Sequence, residues 1–338
     1  MKKALICILI AVLLVFAAQR QVRESVLLWL DERFGPAELA EEAPEQSEPL
    51  FAAASVPQAS DMLDVTLYYR FAQTDVLGME LAQIDVSRDE TIARSIVERL
   101  VEGPDAAHGR LTGVFPQGTR VLSVVPEGTT VYVTVSDAFL GRPDGAPTDW
   151  EDLTVWQEEA TLRRWLAAQS LVCALTEGGR YQRVQLCVAQ SDDDAPLRIP
   201  LYYFNRQVRD MSIVLAACTR DEATVLTPQR AMQMILDGWQ RRDWERVYEL
   251  LCPTADEALP TLSAFEAQMR EADVSLLRAD ISGGSVDAVG TTATLVLDGA
   301  IRSQGGDAQM IRESVPLRRH ADNWAMTLET LRSLMIRE

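Results

Sequence analysis

The chain has 338 residues, enough for two average domains, and 47% of them are apolar, as in ordinary globular proteins. Fifty acidic residues against 32 basic residues give a formal net charge of −18. Binding to nucleic acid needs concentrated lysine and arginine, so this balance argues against nucleic acid as a partner. It argues equally against adsorption of the folded part to an anionic membrane surface.

Residues 1–20 are predicted to be a signal peptide or an N-terminal membrane anchor. Lys2 and Lys3 precede an uncharged apolar run from Ala4 to Ala18, which is the order found in secretory leaders. This run is shorter than the roughly 20 apolar residues that a membrane-spanning helix usually needs. A cleaved signal and an uncleaved anchor both stay open, and we favour the anchor.

Residues 21–60 are predicted to be an acidic, proline-rich linker. Between positions 36 and 60 the chain contains four prolines and five glutamates, with alanine and serine in most other places. A segment of this composition buries too little apolar surface to offset the entropy lost on ordering it. We expect the linker to hold the folded part away from the membrane.

Residues 61–195 are predicted to form one small α/β domain. Apolar and polar side chains alternate over 65–70, as in a strand. Ser87 and Glu90 form a capping-box pattern that predicts a helix start, and Gly103-Pro104 predicts its end. The order of elements predicts two helices packed on one face of a small sheet. The later elements are a hairpin of strands at 118–125 and 130–136, a helix at 154–176 and a strand at 181–189.

Four short motifs occur in order along this unit. They are Leu67-Tyr68-Tyr69, Leu100-Val101-Glu102-Gly103-Pro104, Phe115-Pro116-Gln117-Gly118-Thr119 and Val133-Thr134-Val135-Ser136-Asp137. Together they resemble the GerM domain family of sporulation, spore-germination and envelope proteins, over about 125 residues. The resemblance implies a non-enzymatic, ring-building-type fold that works in envelope or sporulation assemblies.

One departure from the family pattern is visible. An arginine-rich stretch expected soon after the opening strand is reduced here to Val86-Ser87-Arg88. Any role of that stretch in the family is therefore in doubt for this chain.

Residues 196–225 are predicted to be a connecting hairpin. Its strands would be Ile199–Asn205 and Met211–Ala217, and it would extend the first sheet. An alternative follows from Leu201-Tyr202-Tyr203, which repeats the pattern Leu67-Tyr68-Tyr69. This repetition could mark a degenerate second copy of the domain. We favour the hairpin.

Residues 226–338 are predicted to form an α+β cone. Thr227-Pro228 is a helix N-cap followed by proline at the first helical position. Three helical segments precede a run of alternating strands, which indicates helices packed on a curved antiparallel sheet. The predicted strands are at 274–281, 291–301, 309–318 and 324–328.

The layout of this second part, with Trp239, Trp244 and Tyr248 on its helices and Asn323-Trp324 near its end, resembles nuclear-transport-factor-2-like (SnoaL-like, cystatin-like) domains. The resemblance extends over about 110 residues. It implies a cone that holds a ligand or an active site, or that serves only in protein contacts.

The polar candidates for catalysis or metal binding favour simpler interpretations. His320 with Asp322 could act as a general base held by a carboxylate, but the polar run around them predicts a turn. His108 lies in a predicted loop, and Asp192-Asp193-Asp194 lacks the pattern of a calcium loop. We therefore predict no catalytic, cofactor-binding or metal-binding residues.

The glycine and serine candidates lead to the same expectation. Gly283-Gly284 and Gly305-Gly306 are predicted to mark hairpins, because no strand–glycine–helix context for phosphate surrounds them. Ser136-Asp137 has no nucleophile-elbow pattern.

Five cysteines give little support for a disulfide scaffold. Cys7 lies in the leader, and Cys173, Cys187, Cys218 and Cys252 lie in apolar runs, as buried free thiols do. One bridge, between Cys173 and Cys187, is conceivable because a predicted helix and the following strand carry them.

Four tyrosines form a possible interface: Tyr68, Tyr69, Tyr202 and Tyr203. If both pairs lie on edge-like strands, side-chain alternation exposes one tyrosine of each pair, and exposed tyrosines favour interfaces. The alternative is that they line the core of the domain and its junction.

Two functions follow from these patterns. The first is a non-enzymatic, membrane-tethered, extracytoplasmic protein of a Gram-positive bacterium, attached to the membrane by its N-terminal segment alone. Its partners would be envelope or sporulation proteins, further copies of itself, or peptidoglycan. The alternative is a small-molecule binding protein or enzyme that uses a pocket in the C-terminal cone.

Overall fold

The structure, a computed structural model, describes residues 61–86, 91–255, 257–303, 306–320 and 323–335. The predicted leader and linker, residues 1–20 and 21–60, lie outside these ranges, as does the capping-box pattern at Ser87 and Glu90. Within the described ranges no helix combines the length and the apolar character needed to cross a bilayer.

The first sheet is built on a long hairpin. Strand β1 (Asp61–Phe71) pairs antiparallel with β2 (Leu77–Val86) along its whole length, from Asp61 opposite Val86 to Arg70 opposite Leu77. A short third strand, β3 (Leu111–Thr112), pairs with β1 only at Arg70 and Phe71. The sheet order is therefore β2-β1-β3.

Strand β2 was missing from the sequence prediction, and the predicted helix start was wrong. Helix α1 (Ile92–Glu102) begins after β2, and its N-cap is Thr91, whose hydroxyl oxygen accepts a hydrogen bond from the Arg94 amide. A Thr cap satisfies one of the free amides of the first turn in the same way that Ser87 was expected to do. The predicted helix end at Gly103-Pro104 is confirmed.

A second sheet follows in the order β4-β5-β6-β7. Strands β4 (Val121–Glu127) and β5 (Thr130–Ser136) form the predicted hairpin, and helix α2 (Thr154–Thr176) has the predicted bounds. Strand β6 (Arg183–Ala189) returns parallel to β5, because the helix between them carries the chain back to the starting edge. Strand β7 (Leu197–Arg198) pairs antiparallel with β6.

The sequence predicted that the two helices pack on one face of a single sheet, and the structure differs. Each contacts strands of both sheets: α1 packs on β1, β2 and β4, and α2 packs on β1 and β6. The second half of α2 is consequently buried on all sides from Leu166 to Leu175. A helix that is apolar all round is what burial between several elements requires.

Residues 196–225 form part of the predicted hairpin. The amide of Leu201 donates to the carbonyl of Ile213, and that of Leu215 donates to Ile199, both at 2.8 Å. The predicted strand is interrupted by a turn of 3-10 helix at Leu201–Tyr203. Leu201–Tyr203 is thus not a strand like the one that contains Leu67-Tyr68-Tyr69, which argues against the second copy of the domain considered as an alternative.

The second part of the chain is the predicted α+β arrangement. Its helices are α3 (Pro228–Arg241), α4 (Trp244–Glu249), α5 (Leu262–Ala272) and α6 (Leu328–Met335). Its five-stranded sheet has the order β8-β12-β11-β10-β9. The strands are β8 (Leu251–Cys252), β9 (Ser275–Val286), β10 (Thr292–Arg302), β11 (Gln309–His320) and β12 (Asn323–Thr327).

Three details of this part differ from the sequence prediction. Strand β8, which runs parallel to β12, and helix α6 were not predicted. Gly283-Gly284 does not mark a hairpin turn but lies inside β9, where the pairing with β10 shifts register. Gly283 has a φ of 76°, which glycine adopts readily, so the pair supplies a bulge.

Side chains fill the face of this sheet that packs on α3. Leu295 and Leu297 of β10 and Val315 of β11 are buried, and the Trp239 indole of α3 donates to the Val274 carbonyl at 2.9 Å. Alternate residues of β10 point to this face, as a half-buried strand requires. In the described residues, buried side chains thus occupy the sheet face toward α3.

The two parts of the chain share one hydrophobic core. The Leu226 amide donates to the carbonyl of Leu77 in β2 at 2.9 Å, next to a parallel bridge between Leu77 and Val225. Arg230 of α3 pairs with Asp75 at 3.2 Å. The link between the parts is therefore made of backbone pairing and apolar packing as well as surface charge.

Replacement of Leu171 by alanine tests the buried half of α2. Leu171 is fully buried, so we expect Leu171→Ala to lower the free energy of unfolding by about 2–5 kcal/mol, through lost burial and a cavity. Urea denaturation measures this change. Val155→Ala on the same helix is the control, because Val155 is 68% exposed and the change should stay within about 0.5 kcal/mol. Equal effects of the two substitutions would contradict the packing described here.

Candidate functional site

A polar cleft of about 610 Å³ opens on the surface of the first part. Two of the sequence motifs line it: the end of α1 with Glu102-Gly103-Pro104, and the turn Phe115–Thr119. Polar side chains from β1, the turn after it, β3, the loop before α2 and α2 itself also line it. They are Arg70, Gln73, Thr112, Asp144 and Arg163.

The first motif is held by a buried ion pair. Glu80 of β2 is 2% exposed, and one of its carboxylate oxygens accepts from the Arg99 guanidinium at 3.0 Å. Its other oxygen accepts from the Asp105 amide at 3.1 Å, and Arg99 also donates to the Gly103 carbonyl. A buried carboxylate needs such partners, so the network fixes the chain where it leaves α1.

Gly103 ends α1 in a conformation that other residues avoid. Its φ of 100° lies in the region that favours glycine, and it directs the chain away from the helix before Pro104. The motif Glu102-Gly103-Pro104 is thus a turn that shapes one wall of the cleft.

The second motif is anchored on the opposite wall. The Thr119 hydroxyl donates to the Pro116 carbonyl at 2.7 Å, and the Gln117 amide donates to the Asp144 carboxylate at 3.1 Å. The Phe115 ring packs against Phe139 with centroids 6.0 Å apart. These contacts leave the Gln117 side chain exposed at the cleft.

Two arginines of the lining, Arg70 and Arg163, share one carboxylate. Glu159 of α2 accepts from the guanidinium groups of both Arg70 and Arg163, the latter at 2.6 Å. Arg70 is 5% exposed and also donates to the carbonyls of Gln73 and Thr74. Burial raises the pKa of Glu159, but the hydrogen bonds from the two arginines outweigh it and hold that pKa below its ordinary value.

The cleft is equipped for hydrogen bonding. Charges of both signs line it: Arg70 and Arg163, which share the Glu159 carboxylate, and the acidic residues Glu102 and Asp144. Neither His108 nor His320 lines it. No group of three or more potential metal ligands occurs within the part of the chain that the structure describes.

A family model described as "Germane: Sporulation and spore germination" matches residues 66–192. This range contains both motifs that line the cleft and the strand that carries Arg70. Residues 66–192 form a GerM-like domain. The comparison with curated proteins gives no significant match.

Solved structures similar to the chain include the tandem GerMN domains of the sporulation protein GerM from Bacillus subtilis, at 18% identity and a TM-score of 0.28. That match covers 39% of this chain and 40% of the GerM structure. A putative lipoprotein from Clostridium perfringens matches at 14% identity and a TM-score of 0.24, covering 41% of this chain and 82% of the lipoprotein. TM-scores of this size carry no argument about function.

Within the GerM-like domain, Tyr68 and Tyr69 are not at the surface. Both are at most 1% exposed, so the expectation that alternation exposes one of them is wrong. The Tyr68 hydroxyl donates to Glu177 after α2 at 2.8 Å, and the Tyr69 hydroxyl donates to the Arg99 carbonyl of α1 at 3.0 Å. Successive side chains of a strand face opposite ways, and here both faces are covered. The alternative interpretation, core and junction, is confirmed for this pair.

Tyr202 and Tyr203 are half-buried and lie in the 3-10 turn rather than on an edge strand. Arg206 lies 4.8 Å over the Tyr202 ring, and Arg164 lies 5.3 Å from the Tyr203 ring. Arg164 is 3% exposed, and its burial lowers its pKa to about 10. Tyr203 thus covers a buried guanidinium, Tyr202 stacks with the partly exposed Arg206, and the use of the two tyrosines as an interface stays a prediction.

The other polar candidates lie away from the cleft. His108 is in a turn, and His320 is the exposed last residue of β11, with Asp322 outside the described residues. Asp192-Asp193-Asp194 is exposed. The Ser136 hydroxyl accepts from the Arg120 amide at 3.0 Å, which is a structural contact at the end of β5.

The cysteines of the described residues are free and buried, so the conceivable bridge between Cys173 and Cys187 is absent. Burial raises the pKa of Cys173 to about 12 and that of Cys218 to about 11. The thiolate is the reactive form of cysteine. All four thiols are therefore protected from reaction, because they are buried and because they stay protonated. The sequence prediction of buried, free thiols at these four positions is confirmed.

We expect Cys173, Cys187, Cys218 and Cys252 to react slowly with a thiol reagent such as Ellman's reagent at pH 8 in the native state. Reaction should become fast in guanidinium chloride, where the thiols are exposed and their pKa values return to ordinary ones. A Cys7→Ser variant removes the leader thiol from the count. Rapid loss of thiols from the native protein would contradict the buried, reduced state.

The shared carboxylate predicts a pH dependence of stability. The folded-state pKa of Glu159 lies below its unfolded-state value, so its contribution is complete above the unfolded-state pKa and is lost as the pH falls through the folded-state pKa. Between about pH 5 and pH 3, the free energy of unfolding of Glu159→Gln should therefore fall less steeply than that of the wild type.

Urea denaturation at a series of pH values measures the two slopes. Glu158→Gln is the matched control, because the neighbouring Glu158 is exposed and should leave the slope unchanged. Identical slopes for Glu159→Gln and the wild type would show that the arginines do not stabilise the carboxylate.

Proposed function

We propose that this chain is a non-enzymatic, membrane-tethered extracytoplasmic protein that binds envelope or sporulation partners through its GerM-like domain. The observation that carries the proposal is the convergence of Glu102-Gly103-Pro104 and Phe115–Thr119 on one polar cleft. The family description places related domains in sporulation and germination. The leader-like start of the sequence and the acidic linker support the tether.

The chemistry of the cleft favours a ligand rich in hydroxyl and amide groups. Glu159 engages both Arg70 and Arg163, and Glu102 and Asp144 also line the cleft, so it presents no field of a single sign to a charged ligand. The groups free to bind include the exposed side-chain amides of Gln73 and Gln117. Peptidoglycan glycan strands carry both hydroxyl and acetamido groups, and we take this envelope polymer as the ligand of the cleft.

The alternative function, a ligand site in the C-terminal cone, has less support. The sheet face toward α3 is filled by buried side chains such as Leu295, Leu297 and Val315. A cone used for binding needs a cavity of a few hundred cubic ångströms with converging polar groups. The SnoaL-like resemblance of this part remains a proposal about its ancestry. Contact with another protein is the role that fits an interior filled by side chains.

Gly113 offers a direct test of the cleft. It is exposed in the lining, and a Cβ added there would meet only Gly103 and Pro104 atoms, at 3.8 and 4.0 Å. Gly113→Trp should fill the cleft and weaken binding of the full chain to purified peptidoglycan sacculi by about ten-fold or more, a loss of about 1.4 kcal/mol. Co-sedimentation at increasing amounts of sacculi, in a mild detergent, measures the binding.

The matched control is Gly113→Ala, which adds ordinary van der Waals contacts and should bind within about two-fold of the wild type. Circular dichroism verifies that both variants are folded. Absence of wild-type binding to sacculi, or equal binding by Gly113→Trp, would overturn the assignment of the cleft.

A further inference from the structure

One edge of strand β1 is only partly covered. The Phe71 amide donates to the Val76 carbonyl at 3.0 Å, so by the antiparallel register the odd-numbered residues of β1 bond to β2. The main-chain amides and carbonyls of the even-numbered residues therefore point away from β2. Two contacts agree: the Ala72 amide donates to Arg110 at 2.7 Å, and the Tyr68 carbonyl accepts from the Ser170 hydroxyl at 2.6 Å.

Farther along the same edge, the main chain has no partner among the residues that the structure describes. Strand β3 reaches only Arg70 and Phe71, and the contact from α2 ends at Tyr68. No described residue hydrogen-bonds to the amides or carbonyls of Asp64 and Thr66 on this side. An unpaired strand edge is a template for another strand, and proteins usually cover it.

This bare edge forms one side of a groove of about 620 Å³, a size typical of ligand sites. The first residues of α1 and the last residues of α2 enclose it, together with the loop that enters β6. Its walls are mainly apolar. The apolar lining residues are Leu63, Val65, Ile92, Ala93, Ile96, Pro126, Ala174, Leu175 and Tyr181.

Two charged residues that line the groove, Glu177 and Arg180, differ in whether they are paired with an opposite charge. Glu177 is engaged by Arg220 at 2.6 Å and by the Tyr68 hydroxyl. Arg180 is exposed, stacks on the Tyr181 ring at 5.3 Å, and is the only cation among the described residues that line the groove. Within the described residues no carboxylate pairs with it. A ligand with a carboxylate would complement this position.

We propose that the groove binds an extended segment of a partner protein, which pairs with β1 at Asp64 and Thr66 and so extends the first sheet. Main-chain hydrogen bonds supply affinity in this mode, and pockets for alternate side chains supply specificity. Apolar side chains of the segment face the walls of the groove, and an Asp or Glu of the segment pairs with Arg180.

The shape of the groove favours a single strand over a second copy of this chain. A second copy would have to bring its own β2 and the ends of its own helices to the same edge. The concave site, enclosed by α1 and α2, admits a free extended segment instead. This site is separate from the polar cleft, and its test does not depend on the ligand of that cleft.

The test uses the full chain in a mild detergent and a phage-displayed library of random peptides of about twelve residues, long enough to span the edge. Enriched peptides are made synthetically with a fluorophore, and anisotropy gives their Kd. We expect them to alternate apolar residues, to contain an acidic residue, and to compete for one site. Failure to enrich any peptide would overturn the proposal.

Thr66→Pro removes the outward amide while leaving the bonds to β2, a change that edge strands tolerate. We expect it to raise the Kd of the selected peptides by about ten-fold, while Thr66→Val stays within about two-fold. Arg180→Glu should weaken acidic peptides by several-fold. Equal affinity for Thr66→Pro and the wild type would overturn the proposal.

Hydrogen exchange of the wild type gives a measurement that does not depend on the folding of a variant. A saturating selected peptide should slow exchange of the Asp64 and Thr66 amides by about ten-fold or more. Unchanged exchange at both amides would place the peptide elsewhere and refute pairing with β1.

Discussion

The burial of the middle of β1 is the constraint on which the first part of the fold depends. Leu67, Tyr68 and Tyr69 are all at most 1% exposed, so neither face of the strand meets solvent there. The backbone must then find partners on both edges, since an unpaired buried amide or carbonyl is costly. Strand β2 supplies one edge, and β3 with the Ser170 hydroxyl supplies the other. The positions of α1 and α2 follow from this arrangement.

Charged groups reinforce the same strand. Arg70 of β1 and Glu80 of β2 are both nearly buried, and each is paired with a helix: Arg70 with Glu159 of α2, and Glu80 with Arg99 of α1. Buried pairs of this kind specify geometry more than they add stability. They fix where α1 ends and where α2 crosses the strand, and so they set the two walls of the polar cleft.

Local signals predicted much of the fold. Helix α2, the hairpin β4–β5, the cap at Thr227 and strands β9 to β12 follow from periodicity and turn residues, which act over a few residues. Strand β2 was missed because Glu80, polar in sequence, is buried there through a partner that only the fold provides. The short strand β8 exists only because β12 lies beside it. The cleft escaped prediction as well, because its residues come from separate elements, although two of the motifs that line it were recognised.

The junction at Leu77 and Leu226 has a consequence for modularity. Because a strand of the GerM-like domain is hydrogen-bonded to the segment that enters α3, and one core extends through both, the two halves are not interchangeable modules. A recombination event that replaced the C-terminal half would expose Leu77 and the apolar surface around it. The two halves are therefore expected to be inherited together, and a fusion partner is better accommodated at a chain end than at residue 226.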